Sequence, residues 1–241
     1  TSHDIVARVR RVLQVRTGHT GTLDPMATGV LPILLGRATR LARFYLDSDK
    51  EYLATIRLGI ETDTYDARGK IVRRSYPPRL DEQAVGRLLR DFLGEQEQLP
   101  PIYSAVRVGG KRLYEAARKN KSVERPVRRV VFYEMEMIEK TIDTWKLRVK
   151  CSSGTYIRSL AHDIGEKLGC GAHLSALVRT RSGPFTLEQA TPPEAIETEG
   201  RSRIIPMEKM LVRFPSIELT PDEAARVVHG NPVACSLQAT G

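Results

Sequence analysis

Cysteine is scarce. Cys151, Cys170 and Cys235 are odd in number and widely spaced, which excludes a disulfide framework and points to reduced thiols in a reducing compartment. Cys170 and His173 have the spacing of half a zinc site, but no second Cys or His pair completes it, so no metal is expected. No apolar run approaches membrane-spanning length, and the N-terminus lacks the apolar core of a signal peptide. The expectation is a cytoplasmic protein away from membranes. Low-complexity tracts and internal repeats are absent too. The one Gly-rich loop lacks the Lys-Ser/Thr ending of a P-loop and the spacing of a dinucleotide fingerprint, which argues against an enzyme of free ATP, GTP or NAD.

What is present is an ordinary soluble composition, 41% hydrophobic over 241 residues, enough to bury a sizeable core. Lys plus Arg number 38 against 29 Asp plus Glu, a net charge of +9. Such a surplus favours a polyanionic partner, because each phosphate contacted releases counterions. Lys111, Arg112, Arg118, Lys119, Lys121, Arg125, Arg128 and Arg129 crowd one stretch, and Arg158, Arg179 and Arg181 follow later.

Periodicity predicts a helix near the start, capped by Ser2, with Ile5, Val6, Val9, Val12 and Leu13 on one face. With no initiator Met and no element before it, that helix reads as the start of a clipped chain. A buried strand is expected over Val30–Leu35, helical spacing over Arg37–Leu46, and a strand over Glu51–Leu58 with Tyr52, Ala54, Ile56 and Leu58 on one face. Gly59–Gly69 reads as a turn-rich connection. The clearest amphipathic helix is Asp81–Leu93, stopped by Gly94. A strand over Tyr103–Val108, a tight turn at Gly109-Gly110 and a short basic helix over Lys111–Lys119 come next. Two long strands, Val127–Ile138 and Trp145–Cys151, precede a helix over Tyr156–Leu168 closed by Gly169. Thr220-Pro-Asp-Glu223 is a capping box with Pro at the first helical position. Helices and strands without a βαβ rhythm predict an α+β fold with a large, mainly antiparallel sheet flanked by helices.

Asp24 lies in the loop Gly18–Gly29, followed by Pro25 and bracketed by glycines that would let a ligand come close. On composition alone it is a turn residue. The wording of the loop, Gly18-His-Thr-Gly-Thr-Leu-Asp-Pro-Met-Ala-Thr-Gly29, closely resembles the catalytic motif of the TruB-type pseudouridine synthases. Four further segments match in order: Lys50–Gly59, Thr62–Gly69, Ser153-Gly-Thr-Tyr-Ile-Arg-Ser159 and Gly169–Arg181. The resemblance runs from Thr1 to about Met210, and five motifs in order make it highly specific.

The resemblance implies the pseudouridine synthase fold and an isomerase acting on uridine-55 in the T-loop of tRNA. It assigns Asp24 as nucleophile, Tyr52 as the ring stacked on the uracil and the proton acceptor, and Arg158 as the ion-pair partner of Asp24. His19, Tyr156 and Leu177 would line the nucleotide pocket, with His19 filling the place of the extruded base. Lys111, Arg112, Arg179 and Arg181 become candidate RNA contacts. The basic stretch 109–129 resembles an RNA-gripping thumb within a catalytic domain of residues 1–211, and residues 212–241 resemble the start of a small PUA-like RNA-binding domain. The reaction needs no redox change, metal or external energy, so no cofactor is implied. The expected partner is the tRNA T-arm stem-loop, with no protein partner, for a monomer. Its chemistry has a physical logic: a carboxylate in a dry pocket tends to take up a proton, and an Arg fork beside it stabilises the anion. A rival reading keeps the grip without catalysis, as a tRNA-folding chaperone. Three departures from the family pattern stand out: the opening strand with its Lys-Pro motif is absent, the stretch before Gly18 is a residue shorter, and the tail after Leu211 resembles only the start of the PUA-like module.

Overall fold

A computed structural model describes residues 1–104, 107–108, 111–112, 125–211 and 214–234, with the backbone alone at 107–108, 111–112 and 200–201. Two compact units emerge, Thr1–Thr198 and Glu199–Gly241.

In the first unit the alternation after Ser48 becomes strand β4 (Lys50–Leu58), whose Ala54, Ile56 and Leu58 are fully buried. Ahead of it lie helix α1 (Ser2–Leu13), β1 (Thr17–His19), β2 (Thr28–Gly29), β3 (Ile33–Leu35) and a 3-10 helix, Gly36–Phe44. After it come β5 (Ile60–Thr62), β6 (Ile71–Arg74), α2 (Glu82–Arg90), β7 (Gly94–Gln98), β8 (Arg107–Val108) and β9 (Lys111–Arg112). The unit continues with β10 (Arg128–Lys140), β11 (Thr144–Cys151), α3 (Ile157–Lys167), β12 (Ala172–Ser182) and β13 (Phe185–Thr186).

Seven strands form one sheet in the order β13-β12-β4-β11-β10-β7, with β2 added in parallel against β12 and every other pairing antiparallel. One face is apolar. Ala54, Ile56 and Leu58 join Trp145, Leu147 and Val149 beneath Val85 and Leu89 of α2 and Leu160 and Ile164 of α3. The other face is polar and carries cross-strand ion pairs, Arg148–Glu136 at 2.6 Å and Lys150–Glu134 at 2.8 Å. An antiparallel sheet with one covered and one solvated face is the arrangement that such alternation encodes.

Several boundaries differ from the sequence reading. Thr1, not Ser2, caps α1, in a capping box with Asp4, and the Ser2 hydroxyl instead accepts the Leu23 N–H at 2.9 Å. The strand expected over Val30–Leu35 shrinks to β3 because Pro32 has no N–H for the ladder. Arg37–Leu46 is 3-10 rather than α-helical. The connection Gly59–Gly69 contains β5. Asp81 is the N-cap of α2, which ends at Arg90, short of Leu93. Of the strand over Tyr103–Val108, Arg107–Val108 are strand, Tyr103 and Ser104 are not, and residues 105–106 lie outside the described residues; Lys111–Arg112 are strand, paired to Arg107–Val108, where a helix was expected. Gly109-Gly110 and residues 113–119 of that helix lie outside the described residues. So does Cys235, whereas Cys151 and Cys170 are free and buried.

The two longest strands that the sequence reading missed are β7 and β12. Strand β7 reads Gly-Glu-Gln-Glu-Gln and has no apolar residue to betray it. Strand β12 is interrupted by a register shift between Leu174 and Ala176, which breaks the period of two, and it presents Arg179 where an apolar residue would signal the inner face.

The second unit, by itself, contains a helical turn Gly200–Arg203, a short helix Met207–Met210 and a helix Pro221–Val228. The capping box is in place there: Thr220 and Glu223 satisfy each other's backbone N–H, with Pro at the first turn. Among the described residues no helix is long and apolar enough to cross a membrane.

Candidate active site

Asp24 opens a tight turn, Asp24-Pro25-Met26-Ala27, closed by the Ala27 N–H on the Asp24 carbonyl at 2.9 Å. Pro25 presets the backbone angle such a turn needs. The turn reading and the chemical reading are therefore compatible, since the backbone makes the turn and the carboxylate stays available.

The loop around it is tied down. His19 Nδ1 accepts the Gly21 N–H at 3.2 Å. The Arg179 guanidinium donates to the carbonyls of Gly21 (3.1 Å), Thr22 (3.5 Å) and Val30 (2.7 Å). Arg179 is only 2% exposed. The resemblance made Arg179 a candidate RNA contact, and here its donors point inward, where they satisfy carbonyls that a Gly-rich loop cannot pair by itself. The loop returns along β12 as β2, with the Val30 N–H on the Arg179 carbonyl at 2.8 Å. Gly29 makes that approach possible. Its φ is +102°, and a Cβ there would stand 2.2 Å from the Arg179 carbonyl oxygen.

Arg158 comes from the first turn of α3 and grips Asp24 with two parallel bonds, Nε to Oδ2 at 3.0 Å and Nη2 to Oδ1 at 2.7 Å. Only a guanidinium can make that fork. Arg158 is 4% exposed, while the Asp24 side chain keeps 27% of its surface. The remaining donors of Arg158 face the carbonyls of Tyr103 (3.2 Å) and Thr64 (3.4 Å), and Nη1 lies 3.7 Å from Asp66 Oδ2.

Asp66 was not singled out from the sequence. It sat inside what read as a turn-rich connection, although Thr62-Asp-Thr-Tyr-Asp did belong to a matched motif. It is buried, and Thr64 Oγ1 (2.7 Å) and the Arg68 N–H (3.0 Å) both donate to its Oδ1. One buried arginine thus serves two carboxylates, one locked and one reachable. Gln98, likewise missed, takes the Tyr156 N–H (2.8 Å) and donates to the Tyr156 carbonyl (3.1 Å), which fixes the start of α3.

Tyr52 lies opposite Arg179 in the β4–β12 register and packs on the edge of the core. Burial is the main cause that pushes its phenol up to about 12, opposed by Arg179 and reinforced by the charge of Asp24. The phenol is therefore protonated throughout the neutral range, and it is no standing base. Between pH 7 and 9.5 the pH–rate profile should carry no rising limb from Tyr52, and a rise that vanishes in Tyr52→Phe would contradict this. Cys151 is pushed up by burial in the same way, to about 12. Both groups fold in their neutral form with raised values, so their contribution to stability is complete below their ordinary values and is lost as pH climbs toward 12. Thermal melts should show stability declining from about pH 9 upward, less steeply in a Cys151→Ala variant.

His19 is half-buried and its affinity for a proton is lowered, first by burial and then by Arg179 and His3. With Nδ1 accepting from Gly21, the neutral ring carries its proton on Nε2. Tyr156 is half-buried, and Leu177 is part of the core cluster, opposite Ala54. Arg181 is exposed, with Nε on the Gly183 carbonyl at 2.9 Å. The side chains of Lys111 and Arg112 lie outside the described residues.

Residues 10–157 match the model of the TruB family pseudouridylate synthase N-terminal domain, and residues 158–212 that of the tRNA pseudouridylate synthase B C-terminal domain. A protein of Chromohalobacter salexigens named tRNA pseudouridine synthase B is 44% identical over 95% of this chain and 76% of its own length. One of the same name from Francisella tularensis is 57% identical over 73% of this chain and 58% of its own. Among solved structures, a Cbf5-Nop10-Gar1 complex superposes with a TM-score of 0.72 at 33% identity, over 95% of this chain and 64% of the matched one. An H/ACA RNP bound to a substrate RNA containing 2'-deoxyuridine gives 0.71 at 31% identity, over 97% and 64%. The chain thus spans less than two thirds of several of these relatives.

Proposed function

The chain belongs to the TruB family of pseudouridylate synthases, and from that premise we propose that it isomerises uridine-55 in the T-loop of tRNA with Asp24 as nucleophile. The observation that carries the proposal is the two-bond fork from buried Arg158 to partly exposed Asp24. It orients a charged carboxylate at the mouth of a tied-down loop. The C1′–N1 bond of the uridine breaks, the uracil turns, and C5 joins C1′; the C5 hydrogen leaves as a proton and N1 takes one up, so substrate and product are isomers. No electrons are exchanged with any other molecule. An anionic oxygen is needed to attack the flipped-out nucleotide, and the fork supplies one already aimed. Tyr52 offers an aromatic face for the unstacked uracil. Any proton its hydroxyl accepts it must already be handing on, because the phenol is protonated at rest.

The chemistry requires a grip on a stem-loop from which the base is extruded. Arg37, Arg40 and Arg43 are exposed along the 3-10 helix Gly36–Phe44, where residues three apart eclipse at a spacing of roughly 6 Å. That makes an arginine ridge suited to a phosphate backbone, alongside exposed Arg181. Replacing all three by Ala should reduce the slope of log affinity against log salt by about 2. Salt titration of stem-loop binding measures this, and an unchanged slope would remove the ridge from the interface. We assign residues 1–211 to the catalytic domain, with the basic stretch 109–129 as its gripping insertion, and 212–241 to the start of a PUA-like RNA-binding domain. A single stem-loop as substrate suits a cytoplasmic monomer.

Mapping pseudouridine in whole tRNA after incubation with the protein tests the proposal. The expected product is pseudouridine at position 55 alone; modification elsewhere, or none with binding intact, would contradict it.

A further inference from the structure

Two aromatic rings sit one helical turn beyond the fork. The rings of Tyr65 and His162 stack with centroids 4.0 Å apart and planes inclined by 11°. His162 is four residues after Arg158 on α3, so both side chains leave the same face of the helix. Tyr65 stands between Thr64 and Asp66, the two residues of its loop that face Arg158 Nη1.

The backbone of Tyr65 has φ +61°, a left-handed conformation that a bulky side chain rarely adopts. Such strain persists only where the surroundings over-determine it. Here they do. The Tyr65 N–H bonds the Thr62 carbonyl (3.2 Å), its carbonyl accepts the Leu174 N–H of β12 (2.9 Å), and its hydroxyl lies 3.5 Å from Arg125 Nη1. Thr62 in turn holds the Asp66 carbonyl at 2.7 Å. The bend at Tyr65 turns Thr64 and Asp66 toward Arg158, and the stack is where this loop meets α3 beyond the arginine itself. Among the described residues the buried Nδ1 of His162 forms no hydrogen bond, and it lies 3.5 Å from Glu61, an ion pair only if the ring is protonated.

The geometry points to Tyr65 and His162 as positioning residues for the reaction, a stacked brace that sets loop 62–69 against α3 and thereby aims the Arg158–Asp24 fork. This rests on the reading of Asp24 as nucleophile. Among the described residues neither ring bonds Asp24, so losing the stack should loosen the fork and slow the chemical step far more than it weakens RNA binding. A misplacement of about 1 Å in a catalytic group can cost up to about a hundredfold in rate.

The test is steady-state pseudouridine formation on a T-arm stem-loop, with kcat, KM and melting temperature determined for His162→Ala, His162→Phe and Tyr65→Gly. Glycine adopts φ +61° freely, so Tyr65→Gly removes the ring without adding backbone strain. His162→Ala and Tyr65→Gly should lower kcat at least tenfold with KM within twofold, and His162→Phe, which can still stack, should recover to within threefold of the parent. Combining His162→Ala with Asp66→Asn should cost no more than the worse single change, since both act through Arg158. A merely structural role would lower the melting temperature and leave kcat of the folded protein within twofold. That outcome overturns the brace, as does a His162→Phe protein as slow as His162→Ala. Asp24→Asn run alongside separates the two claims: if it turns over normally, the reading of Asp24 fails, whereas a dead Asp24→Asn beside a fully active His162→Ala overturns the brace alone.

Discussion

Arg158→Ala should abolish measurable turnover and lower stability by about 3 kcal/mol, the lower end of the cost of breaking a buried ion pair. The guanidinium is 4% exposed and is shared by Asp24, Asp66 and the carbonyls of Thr64 and Tyr103. Removing it takes the shared counter-charge from Asp24 and the buried Asp66 and a donor from the carbonyls of Thr64 and Tyr103. Arg158→Lys should be the more informative variant. An ammonium can neutralise either carboxylate but cannot make two parallel bonds to Asp24 while also facing Asp66. Its stability should fall by no more than about 2 kcal/mol, while kcat drops at least about a hundredfold, as for other losses of a preorganised electrostatic group. RNA affinity should stay within threefold in both variants, because Arg158 is shielded from the surface. Denaturant melts, stem-loop binding and single-turnover rates read the three quantities separately, and an Arg158→Lys enzyme within fivefold of the parent rate would mean the fork is unnecessary.

Gly29→Ala should be nearly as damaging, through the backbone. A Cβ at that position would meet the Arg179 carbonyl oxygen at 2.2 Å and the Arg179 nitrogen at 2.8 Å, and φ +102° suits no residue but glycine. Relief requires prising β2 from β12, which breaks the Val30–Arg179 backbone bond and pulls on the carbonyls that Arg179 holds. The expected loss is about 3 kcal/mol or more, with catalysis falling further because the Asp24 turn hangs from this strand. Gly36→Ala is the control. Gly36 also has a positive φ, +55°, but open space where its Cβ would go, so only the conformational cost of about 1 kcal/mol should appear. Equal losses at the two positions in a thermal melt would show that the close approach to β12 is not what constrains the loop.

What could be read from the sequence followed the strength of local signals. Strand β4 and helix α2 announced themselves because Ala54, Ile56, Leu58 and Val85, Leu89 repeat at clean periods and end in the core. The long strands β10 and β11 were legible for the same reason. Strand β7 was not, because its function is to pair with β10 and to present one buried amide, Gln98, to α3; nothing apolar marks it. Strand β12 was hidden by its bulge and by Arg179, a charge on the inner face explained only by a loop 150 residues earlier in the chain. At the site, Asp24 and Arg158 meet from 134 residues apart, and the spacing of no motif predicts that; it was the wording of five segments that named both. Asp66 and His162 stayed invisible because their importance lies in contacts across the fold, and a single Asp in a Thr-rich loop looks like a turn residue.

The central claim is that the Asp24 carboxylate is the attacking group. The most direct measurement is single-turnover tritium release from a T-arm stem-loop labelled with [5-³H]uridine, comparing the parent with Asp24→Asn. Asparagine retains the shape of the side chain and the tight turn but not the anionic oxygen. The account predicts release by the parent and a rate at least about 10⁴-fold lower for Asp24→Asn, with unchanged RNA binding, as when a nucleophile is removed from a preorganised site. Release by Asp24→Asn within tenfold of the parent would contradict it and leave Asp24 as the opening residue of a turn.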